Sequence, residues 1–248
     1  MQKNILVSII LGVFWLFLPS CSSNTDNNTE LQAPETENAE MANDKVDPGK
    51  YEGKAKTTTL TTATDASASN IKNLLAAYTG ETTASAKYAA YSKKAQEEGL
   101  TQIALLFKAT STSENIHANN HRAVLEEMGE TIPVIKPEYT VKTTLENLAD
   151  AIAGESYEIT TMYPDFIATA NLADNEIAGT SLKYAYRTEQ KHKLLYEKAL
   201  TALQTNQVNT LSTEYVVCPT CGNTYDSKPP KRCRISMTKG ERFIKIEA

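Results

Sequence analysis

Glycine, aromatic residues and cationic charge are all in short supply in this chain. Its 248 residues include ten glycines, 7% aromatics and a single tryptophan. A β-sandwich uses glycine in its turns and aromatics on its inner faces, so this scarcity favours helices. Lys and Arg number 25 against 30 Asp and Glu, a net charge of −5, so the chain lacks the basic footprint that nucleic acid requires. Cysteine is limited to four, one at position 21 and three between positions 218 and 233. Whether they serve disulfides or metal depends on that split. The 41% hydrophobic content suffices for a core, and the length accommodates one domain of ordinary size plus a smaller one.

The longest apolar run extends only from Ile5 to Leu18, too short for a comfortable membrane span. Lys3 precedes it and Leu18-Pro19-Ser20-Cys21 ends it. Residues 1–20 therefore resemble a bacterial lipoprotein signal, with Cys21 as the lipidated first residue of the mature chain. A plain secretory signal and an uncleaved anchor are the alternatives. All three export the remainder to the cell envelope, facing the periplasm or the cell exterior, and the first ties it to the membrane by a lipid anchor. Residues 21–63 are rich in Asn, Thr, Glu and Asp. They bury too little apolar surface to offset their ordering entropy and read as a flexible tether.

Four helices are expected beyond it. The first starts near residues 66–70 and stops at Gly99, with Ile71, Leu74, Leu75, Tyr78, Glu81, Ala84, Tyr88 and Tyr91 on one stripe. The second spans about 101–128, with Ile103, Leu106, Phe107, Thr110, Glu114, His117, His121 and Leu125 on or beside its buried face. A link carrying Pro133 and Pro137 reads as a crossover. The third covers about 143–171 and holds Pro164 in its interior, where a kink or bulge is expected. The fourth spans about 174–205.

Acidic residues in these helices recur in a pattern. Glu81 precedes Glu114-x-x-His117 by almost the same interval as Glu155, in Glu155-x-x-Glu158, precedes Glu189-x-x-His192. One helical hairpin occurs twice, each copy bringing one Glu and one Glu-x-x-His. Residues three apart share a helix face, so each Glu-x-x-His aims two metal ligands at one point. Five carboxylates buried together would raise their pKa values or cost several kcal/mol per uncompensated charge; two cations would nearly balance them. Carboxylate-rich ligation with some imidazole suits iron or manganese. Tyr88 and Tyr163 lie where they could hydrogen-bond the ligands, or could be ordinary core residues. His121, one turn beyond His117, is expected at the surface or beside the ligands.

The tail has another character: Cys218-Pro-Thr-Cys221-Gly222 and then Cys233-Arg-Ile-Ser236. The first is a metal knuckle, a tight turn aiming two thiolates at one ion. The second would match it but for the serine.

A Glu from each of two helices and a Glu-x-x-His from each of two others is the ligand set of ferritin-like di-iron bundles, which this sequence resembles. With the knuckle, residues from about 64 onward are similar to the rubrerythrin family. Gly80-Glu81-Thr82, Glu114-x-x-His117, Gly154-Glu155-x-x-Glu158, Met162-Tyr163-Pro164 and Glu189-x-x-His192 carry the resemblance. It implies a mainly α fold: a ferritin-like four-helix bundle over residues 64–207 and a small rubredoxin-like β domain over 212–248. It implies two iron ions bridged by Glu114 and Glu189, with Glu81 and Glu155 terminal and His192 near Glu155. Glu158 and His117 would exchange at the other iron, Glu158 in the oxidised state and His117 in the reduced one. It also implies a homodimer in which the knuckle of one chain lies beside the bundle of the other.

The activity implied is reduction of hydrogen peroxide to water, with Glu158, His117, Tyr88 and Tyr163 at the reacting centre. Cys218, Cys221 and Cys233 would hold a further iron or zinc. Ser236 departs from the family's fourth thiolate and implies weaker iron binding and a lower reduction potential. An empty site or a Cys218–Cys221 disulfide are the alternatives there. Export removes the nicotinamide-linked donors of the cytoplasm and leaves the electron donor an envelope component. A ferroxidase or iron-binding protein, and a redox-sensing lipoprotein without turnover, are the competing functions.

Overall fold

A computed structural model describes residues 63–226 and 228–247. The expected signal, Cys21 and the expected tether up to residue 62 lie outside the described residues. Five α-helices come first: α1 (Ala63–Glu97), α2 (Thr101–Glu127), α3 (Thr144–Tyr157), α4 (Tyr163–Leu172) and α5 (Glu176–Gln204). A three-stranded antiparallel sheet follows, built from β1 (Glu214–Val217), β2 (Thr224–Tyr225) and β3 (Ile244–Glu247) in the order β2-β1-β3. The fold is a ferritin-like bundle with a small β unit at its C-terminal end. Among the described residues no helix is long and apolar enough to cross a membrane.

The first helix starts at Ala63, ahead of the expected 66–70. Ala66 and Asn70 are both buried, so the stripe begins earlier than the first large apolar side chains reveal. All eight positions expected on the inner face of α2 are buried. The crossover, residues 131–143, carries no regular element. It delivers the chain to Thr143, which caps α3: the Thr143 side chain accepts from the Glu146 amide, and the Glu146 carboxylate accepts from the Thr143 amide. This reciprocal arrangement satisfies two amides that a helix start leaves without partners.

The expected disturbance at Pro164 takes the form of a π-turn, Glu158–Met162, joining α3 to α4. The Tyr163 amide reaches back to the Glu158 carbonyl, one residue further than a regular helix would. Such single-turn widenings often sit at functional positions, and this one begins at an expected ligand.

The apolar core is divided. One cluster holds Tyr88, Tyr91, Phe107, Leu148, Tyr196 and Val217; the other holds Leu74, Leu125, Tyr163, Ile167 and Leu182. Each such side chain contributes about 1.5–3 kcal/mol by burial. The helices α1, α2 and α5 each pass from one cluster to the other, and between the two stretches stand Glu81, Glu114 and Glu189.

Thr143→Ala removes the cap of the helix that carries Glu155. The expected cost is about 1 kcal/mol, read as a fall of roughly 2–4 °C in melting temperature for a chain of this size. Calorimetry of the full chain checks it.

Candidate metal centre

Glu81 on α1, Glu114 and His117 on α2, Glu155 on α3, and Glu189 and His192 on α5 are each 0–1% exposed. Their donor atoms fall into two groups. Glu81, Glu114, His117 and Glu189 form one; Glu114, Glu155, Glu189 and His192 form the other, with all ligand atoms of a group within 4.8 Å of one another. Glu114 and Glu189 belong to both.

The oxygen-by-oxygen geometry explains the sharing. His117 Nδ1 lies 2.9 Å from Glu114 Oε2 and 2.8 Å from Glu189 Oε1. His192 Nδ1 lies 3.0 Å from Glu114 Oε1 and 2.7 Å from Glu189 Oε2. Each of the two central carboxylates thus turns one oxygen to each half of the site. All four oxygens, both Nδ1 atoms and Glu155 Oε2 are buried without a hydrogen-bond partner. Buried polar atoms are rarely left so. Close approach without hydrogen-bond alignment is what donors show when they converge on a common point. The residues present fit a pair of bridged cations.

The outer nitrogens are fixed. His117 Nε2 lies 3.0 Å from the Cys221 carbonyl, which can only accept, so Nε2 carries the hydrogen and Nδ1 faces the carboxylates. His192 Nε2 lies 3.0 Å from Thr224 Oγ1, whose hydrogen goes to the Gly222 carbonyl, so the same assignment holds. Tyr88 donates to Glu155 Oε1 at 2.9 Å and Tyr163 donates to Glu81. Both tyrosines therefore touch the terminal carboxylates.

Without cations, protons must balance the charge. Burial, then Glu189 and its neighbours, hold Glu81 and Glu155 well above the carboxylate range, and burial does the same for Glu158. Burial disfavours the charged form of His192, yet Glu114 and Glu189 carry it up to about 9. His117 is raised likewise against its burial, chiefly by Glu189. Burial pushes Glu189 upward, but His117 and His192 hold it down at about 2. Metal binding would displace these protons.

Glu158 is partly buried and stands outside both donor groups, although near enough to raise Glu81 and Glu155. The arrangement is the one in which His117 faces the carboxylates. His121 is fully buried, not at the surface, 3.3 Å from the Tyr163 hydroxyl and 2.8 Å from Ser181 Oγ. Sequence reasoning missed Ser181, Thr188 and Thr224. Their partners lie on other elements, and no local pattern marks them.

Cys218, Cys221 and Cys233 are buried free thiols with their sulfurs within 4.8 Å of one another. The Cys218–Cys221 disulfide considered from sequence is not formed. Ser236 Oγ lies 3.2 Å from Cys218 Sγ, which puts an oxygen beside the three sulfurs. The donors fit one further metal ion.

The knuckle also seats on the bundle of its own chain. Thr188 donates to the Cys221 carbonyl at 3.0 Å, Ser113 to the Gly222 carbonyl at 2.8 Å, and Asn120 to the Thr220 carbonyl at 2.9 Å. The resemblance implied this seam between two chains; within this one it is made intramolecularly. Gly222 has φ +76, and a Cβ there would stand 2.4 Å from His117 Nε2, so only glycine lets the knuckle approach this closely.

Helices of this order around a carboxylate and imidazole layer define a ferritin-like di-iron protein, with two iron ions as its cofactor and a redox enzyme's function. Comparison with known proteins narrows the class. The Rubrerythrin family model matches residues 72–200. Rubrerythrin-2 of Clostridium acetobutylicum is 32% identical over 171 residues, 68% of this chain and 92% of that protein. Nigerythrin of Nitratidesulfovibrio vulgaris is 33% identical over 177 residues, 71% and 85% of the two chains. The structure of fully reduced, all-ferrous nigerythrin superposes with a TM-score of 0.67 at 29% identity, covering 88% of this chain and 99% of that one. Bacterioferritin of Rhodobacter capsulatus, at 19% identity and a TM-score of 0.51 over 56% of this chain and 87% of its own, shares the fold alone. The chain belongs to the rubrerythrin family.

Gly222→Ala should strain the seam at the His117 ring. Overpacking of this kind costs about 1–3 kcal/mol, visible as a lower melting temperature of the full chain. Unchanged melting would show that the knuckle does not rest on the bundle in this way.

Proposed function

We propose that this chain reduces hydrogen peroxide to water in the cell envelope, as an exported lipoprotein held by Cys21. The observation that carries the reading is the pair of four-donor groups sharing Glu114 and Glu189, with a tyrosine hydroxyl on each terminal carboxylate. Glu81, Glu114, Glu155, Glu189 and His192 would hold the two irons, Glu114 and Glu189 being the residues common to both donor groups. His117 and Glu158 would be alternative ligands beside Glu81. When bound, the irons supply the two electrons that peroxide reduction consumes.

The protein residues do the rest. Tyr88 and Tyr163 hold hydrogens at the terminal carboxylates, so protons stand ready beside the metals. The flanking apolar clusters exclude bulk water, which strengthens every charge interaction within the layer. Glu158 opens the π-turn, its backbone held by Gly154 and Tyr163, and its side chain can swing toward or away from the donors. Cys218, Cys221, Cys233 and Ser236 would hold a further metal ion, which would supply a route for electrons from a donor of the envelope. The domains run over 64–207 for the bundle and 212–248 for the knuckle, and the active form is a homodimer.

Glu114→Ala should abolish iron binding at the bundle and peroxide turnover together, since it removes an oxygen from both halves. The check is iron per chain alongside peroxide consumption with a reductant. Turnover retained in the variant would sink the assignment. Fe(II) consumed far beyond the bound irons, without a reductant, would favour a ferroxidase instead. Ser236→Cys should tighten metal binding at the knuckle and strengthen its thiolate-to-metal absorption; an unchanged spectrum would remove Ser236 from the ligand set.

A further inference from the structure

His121 is absorbed by neither metal group, yet it is fully buried on the inner stripe of α2, where a leucine would fill the space without needing partners. It stands in a chain of hydrogen bonds. Ser181 Oγ lies 2.8 Å from Nδ1, Nε2 lies 3.3 Å from the Tyr163 hydroxyl, and Tyr163 donates to Glu81. At the other end Ser181, only 6% exposed, lines an open surface groove of about 390 Å³ with Asn120, Ile177, Thr180 and Tyr184.

Donor counting fixes the direction of the chain. With Glu81 ionised as a ligand, the one hydrogen of Tyr163 points at its carboxylate. The Tyr163 oxygen can then only accept, so His121 Nε2 carries a hydrogen. The imidazole is neutral, because burial, aided by His117, holds its pKa at about 3. Nδ1 is therefore a bare acceptor, and Ser181 donates to it. Every hydrogen along the path points from the groove toward the metal layer.

We propose that Ser181, His121 and Tyr163 form a proton relay from the surface groove to the Glu81 carboxylate. A groove water gives a proton to Ser181 Oγ as Ser181 passes its own hydrogen to Nδ1. Nε2 releases its hydrogen to the Tyr163 oxygen, and the phenol passes its hydrogen to Glu81. One proton leaves the groove and one arrives at the carboxylate; no bond order elsewhere changes. The imidazole is neutral before and after, exchanged only in tautomer. The relay rests on the peroxidase reading in one respect: that reaction consumes two protons for each peroxide, and a buried layer needs a route for them.

The test uses the full chain as wild type, His121→Leu and Ser181→Ala, the second being a mild change on the groove wall. Iron per chain and the visible spectrum should be unchanged in both. Oxidation of the reduced protein by peroxide should slow by roughly tenfold or more, below the full contribution of a positioned proton donor. The rate plotted against deuterium fraction should bow downward in the wild type, as several hydrogens moving together require, and straighten in both variants. In zinc-loaded, ¹⁵N-labelled wild type, His121 should show a protonated Nε2 and a bare Nδ1. A protonated Nδ1, or variants with wild-type rates and the same bowed plot, would overturn the relay. A wild type inert to peroxide would instead remove the peroxidase reading, and the ¹⁵N tautomer would still decide the direction of the hydrogen bonds.

Discussion

Everything in this molecule answers to one constraint: four carboxylates and two imidazoles gathered where water cannot reach them, with a fifth carboxylate, Glu158, partly buried beside them. Taking such groups out of water costs several kcal/mol per uncompensated charge, and their mutual repulsion adds to it. The apolar clusters to either side are what make the layer tolerable, since they fix the helices rigidly enough that the donors cannot drift apart. They also make it reactive, because the same exclusion of water that penalises bare charge strengthens the hold on a cation. Stability and chemistry are therefore opposed in the empty protein and aligned in the loaded one.

How much of this the sequence disclosed depends on the range of each interaction. The Glu-x-x-His pairs are legible because both partners lie on one helical turn, and their recurrence at nearly equal intervals after Glu81 and Glu155 shows that two hairpins carry the same task. Tyr88, on the stripe of the first helix, and Tyr163, beside Pro164, were legible as candidates; their partners, Glu155 and Glu81, became definite only with the helices packed. Ser181 and Thr224 carry no mark at all. A serine and a threonine are ordinary in a helix and a strand, and their importance lies wholly in what α2 and α5 bring to them. His121 shows the opposite failure: its spacing was seen, but a reading confined to α2 left the surface open to it, and only Tyr163 and Ser181 on neighbouring helices hold it inside.

The knuckle illustrates how a local motif can serve a distant one. Its turn brings two backbone carbonyls and one hydroxyl to the outer edges of both histidines and to Ser113 and Thr188. The thiols that the motif advertises gather with one another, while the Cys221 carbonyl sets which nitrogen of His117 is free and the Thr224 hydroxyl sets it for His192. A carbonyl that accepts is enough to orient a ligand, and it asks nothing of the side chain.

The π-turn has a consequence for the phase of the third helical segment. Leu148, Ala151 and Glu155 lie on one face of α3, and Tyr163, Ile167 and Ala170 are the buried positions of α4. A regular helix after Glu155 would bring the inner face round about one residue too early to meet Tyr163. The extra residue in the wide turn delays the rotation by that amount, so the face beyond it comes back into step with the face before it. The turn acts as a vernier. It lets Glu155 meet one apolar cluster's edge and Tyr163 enter the other without either giving up its place, and the same residues wound as a regular helix would turn that tyrosine away from the inner face.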